Sequence, residues 1–372
     1  VNDVTGPTAA HDDQDGEVFE LDATSVIRVP MHNGPISDID ISPDGRRLVV
    51  TNYGSNAVSV IDANACRVSS TVTGLVEPFA VAMSSADANY AYVSTATPGY
   101  DAIEVIDVVT NWRIATHRLA NSVSDLTVSP DGKNVYASRN AARGADVTVL
   151  DTTTGELEVI DLATAPGVTT ACVRISADGR RLYVGLNAPT GGSLAVIETR
   201  TRSDDRRVGG RSRIVGVVDI GLPVRDVAPS RDGGTVYVAS CDPVAGAVLD
   251  VVDTRANKIV VTHKIPEITG SLTRMTLSRD GERAYLVSDD RITVLSTGTQ
   301  EVVGEVMVSK HPSCVVESPD GTHLYIADYS GVVTAARIGS TAQPQISLGA
   351  TDRAMSVAGW LPELPEWELA LA

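Results

Sequence analysis

The sequence predicts an all-β protein, a β-propeller of four-stranded antiparallel blades closed by pairing of N- and C-terminal strands. Three observations predict it. A Ser-x-Asp-Gly turn recurs along the chain, the strand after each copy opens on an aromatic or Leu and continues in small and β-branched residues, and a third strand ends in Val-[Ile/Leu/Val]-[Asp/Glu]. A repeat of about 40–50 residues marks a stacked or closed array of supersecondary units.

The turn stands at Ser42-Pro43-Asp44-Gly45, Ser129-Pro130-Asp131-Gly132, Ser176-Ala177-Asp178-Gly179, Ser230-Arg231-Asp232-Gly233, Ser278-Arg279-Asp280-Gly281 and Ser318-Pro319-Asp320-Gly321. A decayed copy, Ser84-Ser85-Ala86-Asp87, fills the gap after the first and makes seven, spaced 42, 45, 47, 54, 48 and 40 residues apart. Each spacing holds four short strands and their turns. Within the turn, Pro presets φ, Asp accepts backbone hydrogen bonds and Gly takes φ > 0, which closes a tight hairpin. An apolar strand such as Ile36–Ile41 precedes it. The strand that follows, for example Tyr136-Ala137-Ser138 or Tyr325-Ile326-Ala327, reads as a buried middle strand. The acid ending the third strand, as in Val60-Ile61-Asp62 or Val251-Val252-Asp253, caps the turn into strand four by an Asx-turn.

Residues 17–35 read as strands three and four of the last blade plus the next connector, so the N-terminus completes that blade and removes exposed sheet edges. The repeat predicts seven blades. Segments 345–349 and 354–359 resemble further strands, with 367–372 as a partner, and leave a composite eighth blade open. The propeller domain is placed at 17–349, between a disordered acidic segment, 1–16, and a tail, 350–372, that packs on the ring or completes the last blade.

Only 4% of residues are aromatic, so aliphatic side chains pack the sheets and base stacking is unexpected. A formal charge of −17 opposes nonspecific attraction to nucleic acid or an anionic membrane. No apolar run reaches the length of a membrane helix, and residues 1–16 lack the basic-then-apolar order of a secretory signal. A cytoplasmic location is therefore expected, with export after removal of a signal as the alternative. The leading Val fits a GTG start, and the excess of Arg over Lys fits a high-GC bacterium. Cys66, Cys172, Cys241 and Cys314 lie in different repeats without a C-x-x-C, which predicts free thiols and no zinc ribbon or covalent haem. No metal site and no cofactor are predicted. The Gly191-Gly192 and Gly209-Gly210 pairs fall in turns that open no helix, so a phosphate cradle is not indicated.

The L-x-V-T-N segment Leu48 to Asn52, the Val-Ile-Asp third-strand endings and the Ser-Pro-Asp-Gly turns together resemble the YVTN or YncE-like bacterial β-propeller repeat, over roughly residues 17 to 349. An acid replaces the Trp-Asp of WD40 repeats. The likeness, with the Arg-rich composition, points to an actinobacterial, mycobacterial-type member. It implies a partner-binding role, with a membrane transport complex of the cell envelope as the partner, and maps no functional residue onto the chain.

Counting four residues back from each turn places Asp38, Ala80, Asp125, Cys172, Asp226, Arg274 and Cys314 at one level of the innermost strands, as a ring near a channel mouth. Asp38, Asp125, Asp226, Arg274, Cys172 and Cys314 are the ligand-binding candidates, suited to a hard cation, a cationic ligand or a small polar metabolite. Satisfying backbone groups and channel water is their competing role. A Cys172–Cys314 disulfide would have to span the channel and is rejected. Loops assigned to the same mouth add His32, Glu77, Arg139, Arg143, Arg225 and His311. No nucleophile motif accompanies either His, so no catalytic residue is assigned. The longest unit carries an Arg-rich hairpin on an otherwise acidic chain. Its Arg200, Arg202, Arg206, Arg207, Arg211 and Arg213 are the partner-binding candidates, since guanidinium pairs bidentately with oxyanions, and Asp204 and Asp205 offset part of the charge. Three functions stay open: a monomeric, non-enzymatic interaction scaffold, a metal-dependent lactonase or lyase at the channel mouth, and a small-ligand sensor in the channel.

Overall fold

The computed structural model describes residues 19–348 apart from 121, 142–143, 164, 200–211, 243, 245, 269, 309–310 and 340–345. The terminal segments 1–16 and 350–372 and all the hairpin arginines but Arg213 lie outside the described residues.

Seven sheets stand in a ring. Blades 1 to 6 begin with the inner strands Ile36–Ile41, Val81–Met83, Val123–Val128, Thr169–Ile175, Val224–Pro229 and Leu272–Leu277, and each runs outward through three more antiparallel strands. Blade 7 takes Pro312–Glu317, His323–Asp328 and Val332–Gly339 from the C-terminal end of the ring, and its outermost strand, Glu20–Pro30, from the N-terminal end. That antiparallel pairing closes the ring. Residues 17–35 therefore supply one long strand and not two. A bulge between Asp22 and Ile27 lets the strand stay paired over the stretch the sequence reading divided. The third strand of that blade is Val332–Gly339.

Segment Ile346–Leu348 founds no further blade. It adds in parallel to the outer strand of blade 6, with Val306 opposite Ile346 and Val308 opposite Leu348.

The core lies between the blades. Seven apolar clusters each draw on two neighbouring sheets, so every blade is buried on both faces by its neighbours. The recurrent tyrosine sets these contacts: Tyr92, Tyr136, Tyr183, Tyr237, Tyr285 and Tyr325 are all buried, and Val49 occupies the slot in blade 1. The turns behave as their residues dictate. In the first copy Ser42 Oγ donates to Asp44 Oδ1 at 2.5 Å, the carboxylate accepts from Arg46 N–H, and Gly45 sits at φ 71°. Third-strand acids cap the next turn: Asp62 accepts from Asn64 and Ala65, Asp107 from Val109 and Thr110, and Asp253 from Arg255 and Ala256. Blade 2, whose turn is decayed, has the shortest inner strand, three residues.

Candidate functional site

Six inner strands carry a register shift just before the ring level, at Ile36/Asp38, Val123/Asp125, Thr170/Cys172, Val224/Asp226, Leu272/Arg274 and Pro312/Cys314. A bulge re-aims the side chain that follows it. Here it serves the free edge of the innermost strands, whose backbone N–H groups have no strand to pair with.

The three ring aspartates fill that need on alternate blades. Asp38 accepts from its own Ile39 N–H and from Val81 N–H of blade 2, both at 3.0 Å. Asp125 accepts from Leu126 N–H and from Val173 N–H of blade 4, both at 3.0 Å. Asp226 accepts from Val227 N–H at 2.9 Å and from Met275 N–H of blade 6 at 3.1 Å. One carboxylate thus fastens two blades, joining 1 to 2, 3 to 4 and 5 to 6. The level residue of blade 7 is Cys314.

Two guanidiniums complete the cluster. Arg174 of blade 4 donates through Nη1 to Asp125 and through Nη2 to Asp226, the latter ion pair at 3.0 Å, and Nη1 also meets the Val173 carbonyl. Arg274 lies 3.7 Å from Asp38 and 3.6 Å from Asp125, reaching across the channel from blade 6. Asp40, one step further along its strand, repeats the fastening with Ile41 N–H at 2.8 Å and Met83 N–H at 2.7 Å. Burial pushes the Asp40 carboxyl up to about 7, against the pull of those two amides. Burial also raises Asp38, although Arg274 works the other way.

The cluster borders a cavity of about 280 Å³ lined by Asp38, Asp40, Asp125, Arg174, Asp226 and Arg274, with Thr127 and Thr276 beside them. All lie at the ring level or beyond it toward the turns. The connector residues lie elsewhere: His32 and Glu77 are exposed, and His311 bonds the Asp289 carbonyl at 2.7 Å. Arg139 and Arg225 lie in strands, not loops: Arg139, in Asn134–Ala141, is buried in a two-pronged pair with Asp146, both bonds 2.8 Å, and Arg225, in Val224–Pro229, leaves its Nε without a hydrogen-bond partner among the described residues. Arg143 lies outside the described residues.

Among the ring candidates, Asp38, Asp125, Asp226 and Arg274 come together. Cys172 turns into the core between blades 4 and 5, while Cys314 edges the cavity. Burial raises both thiols, so neither is a ready nucleophile. All four cysteines are free. Arg174 and Asp40 were missed. Both stand two residues past the ring level, where the strand's alternation returns a side chain to the same side, and extending the count by two finds them.

Two cations already fill the middle of the ring, and the carboxylates are spent on amides and guanidiniums. Among the described residues no three His, Cys, Asp or Glu side chains form a metal-ligand set. Of the hairpin arginines, Arg213 is exposed and paired with Glu198 at 2.8 Å. The Gly191-Gly192 pair opens a strand, Gly191–Glu198, not a helix, and a Cβ on Gly192 would collide with the Leu222 carbonyl. No helix among the described residues is long and apolar enough to cross a membrane.

A different surface is uncovered among the described residues. The outer strands of blades 2 to 5, Trp112–Leu119, Leu157–Ala163, Arg213–Asp219 and Lys258–Ile265, show solvent a run of large apolar side chains. Trp112 is 72% exposed and Val217 61%, with Ile114, Leu157, Val159 and Val260 also at least half or nearly half bare.

No family model matches the sequence. The chain is 51% identical, over 391 aligned positions covering 99% of each, to the "Seven-bladed beta-propeller protein Rv1057" of Mycobacterium tuberculosis. Among solved structures it is similar to a chain of Kuenenia stuttgartiensis hydrazine synthase, with a TM-score of 0.70 and 21% identity over 90% of this chain and 100% of that one. It is also similar to the Cps50 (Swd1) β-propeller domain of Myceliophteria thermophila, with a TM-score of 0.67 and 15% identity over 86% and 100%. These two likenesses speak to fold alone.

Proposed function

Since the chain belongs to the family of the seven-bladed β-propeller protein Rv1057, we propose that it serves as a non-enzymatic scaffold that docks a partner protein along the rim of blades 2 to 5. The observation that carries this reading is the run of bare outer strands on four consecutive blades, each with exposed aliphatic or aromatic side chains. Such an edge is a template for strand addition, and soluble proteins ordinarily blunt or cover it. Blade 6 supports the same logic, because its outer strand takes a fifth strand, Ile346–Leu348, from the chain itself. A partner supplying an extended segment would gain main-chain bonds from the edge and pockets from alternate side chains.

The Arg-rich hairpin joins the third and outer strands of blade 4, inside this stretch of rim, and would add an oxyanion-binding element to the same surface. Metal-dependent hydrolysis in the channel has less support, because the carboxylates it would need hold the blades together. The envelope transport complex implied by the sequence resemblance is the partner to look for first.

The test is affinity purification from native cells, membrane and soluble fractions separately, with three baits: the native chain, Trp112→Glu/Ile114→Glu, and a chain with Arg200, Arg202, Arg206, Arg207, Arg211 and Arg213 all changed to Ala. We expect one complex enriched by the native chain and lost with the rim variant. Equal capture by native and rim-variant baits would refute the rim as the docking surface.

A further inference from the structure

One bare edge of the rim has an occupant within reach. Ile346–Leu348 follows blade 7 in the chain yet adds to the outer strand of blade 6, lying beside the closing strand of blade 7 as it does so. The chain has moved one blade back round the ring. The next place in that direction is blade 5, whose outer strand, Lys258–Ile265, has no strand on its outer side among the described residues. The added strand runs parallel to Val302–Val308, so Leu348 leaves the edge at the end that corresponds to Ile265 on blade 5. Residues 349–372, which follow, reach up to about 80 Å when extended, ample for a neighbouring blade.

Their sequence fits that edge. Met355 and Val357 alternate with the small residues Ala354, Ser356 and Ala358, the period of a strand with one larger apolar face, and Gly349 and Asp352 ahead of them are turn residues. On blade 5 the side chains to be covered are Val260, 60% exposed, and Val261, 40% exposed. Charge agrees. Lys258 and Lys264 are exposed and their strand holds no acid, whereas residues 349–372 carry Asp352, Glu363, Glu366 and Glu368 against Arg353 alone. The other bare edges fit less well. Leu157–Ala163 of blade 3 carries Glu158 and Asp161, and Arg213–Asp219 of blade 4 has its Arg213 paired with Glu198. Blade 2 is basic through Arg113 and Arg118, but Arg113 already faces Glu104 at 3.6 Å and the blade stands further round the ring.

We propose that the chain's own residues 349–372 cover this edge: residues 354–359 add as a strand antiparallel to Lys258–Ile265, over Val260 and Val261, and Glu363, Glu366 and Glu368 meet Lys258 and Lys264. The segment thereby competes with a partner for the blade 5 end of the rim. This cover rests on the rim being an edge that accepts strands, yet it is read on the purified chain without a partner, so either reading can fail without the other.

Trp112, Trp360 and Trp367 are the chain's tryptophans, so Trp112→Phe in the full chain leaves two reporters, both in the segment. Their quenching by acrylamide should be at least about twofold weaker than in a free peptide of residues 349–372, and hydrogen exchange across 258–265 should become at least about tenfold faster once Lys258→Glu and Lys264→Glu are introduced. Adding Glu363→Lys, Glu366→Lys and Glu368→Lys to that variant should restore the protection, and those three changes alone should release the segment. Quenching equal to that of the free peptide would overturn the proposal. So would protection that survives reversal of both lysines, protection that goes only with Arg113→Glu and Arg118→Glu, which would move the segment to blade 2, or protection lost on dilution together with a dimer, which would give it to a second copy.

Discussion

Asp125→Ala is the sharpest test of how the ring holds together. Its carboxylate accepts from Leu126 and Val173 N–H, pairs directly with Arg174 and lies 3.6 Å from Arg274, so one side chain ties blades 3, 4 and 6. Truncation leaves two channel-facing amides without acceptors, about 1–3 kcal/mol each before water enters. It also takes away one of the two carboxylates on Arg174, and breaking a buried ion pair costs about 3–5 kcal/mol. These terms overlap because water can refill the gap, and we expect a net loss of about 3–5 kcal/mol. At ~2 cal/mol/K per residue over roughly 330 ordered residues, Tm should fall by about 4–7 °C. Urea unfolding followed by circular dichroism is the assay, with Lys133→Ala, which disturbs only an exposed pair, as a control expected to change stability by less than about 1 kcal/mol. Asp125→Asn should recover little, since its amide would turn a donor toward an amide or a guanidinium. A loss below about 1 kcal/mol for Asp125→Ala, with an unchanged denaturant slope, would refute the reasoning.

Further outcomes follow from the same structure. Asp40 has its folded-state value raised to about 7, so between about pH 4 and 7 the folded chain keeps a proton the unfolded chain has released; its contribution to stability therefore falls as pH rises through that window. Asp40→Asn should flatten the decline of Tm between pH 5 and 7.5, and an unaltered slope would contradict the assignment. Deleting residues 1–30 removes the closing strand with buried Phe19, Leu21 and Val29, at about 1.5–3 kcal/mol each, and should cost about 5 kcal/mol or more in denaturant titrations. Tyr285→Phe removes the 2.7 Å bond from Tyr285 Oη to the half-buried Glu317 and should cost about 1–3 kcal/mol. Under native conditions a thiol reagent should modify Cys66 alone at an appreciable rate, while buried Cys172, Cys241 and Cys314 react only on unfolding.

The fold was legible because each repeat carries its own punctuation. Ser42, Asp44 and Gly45 form a locally satisfied unit that reads the same in isolation as in the ring, and so do the capping acids Asp62, Asp107 and Asp253. Closure was legible in outline only. Nothing local separates one bulged strand from two short ones, so residues 17–35 read as two strands and a connector until pairing with Val332–Gly339 fixed the register. In the channel, counting back from the turns found Asp38, Asp125, Asp226 and Arg274, but Arg174 and Asp40 come from a level not counted. What the aspartates do was hidden as well, since their second bond goes to an amide more than forty residues away. The rim was illegible for a different reason: an apolar residue on an outer strand looks the same in sequence whether it faces the next blade or water, as Ile114 and Leu119 illustrate.

An odd ring cannot be tiled by pairs. Asp38, Asp125 and Asp226 each hold an amide of the next sheet, and these three carboxylate-to-amide bonds join the blades two by two, 1 to 2, 3 to 4 and 5 to 6. The blade those bonds leave out is blade 7, which is tied to blade 6 through Glu317 and holds the seam between the two ends of the chain. Stretched from its ends, the protein should first lose the Ile346–Leu348 addition on blade 6, then open at that seam, and then shed blades in pairs, each release stopping where the next carboxylate spans two sheets. The odd blade is thus the latch of the ring, and the number seven, more than any one contact, decides where it opens.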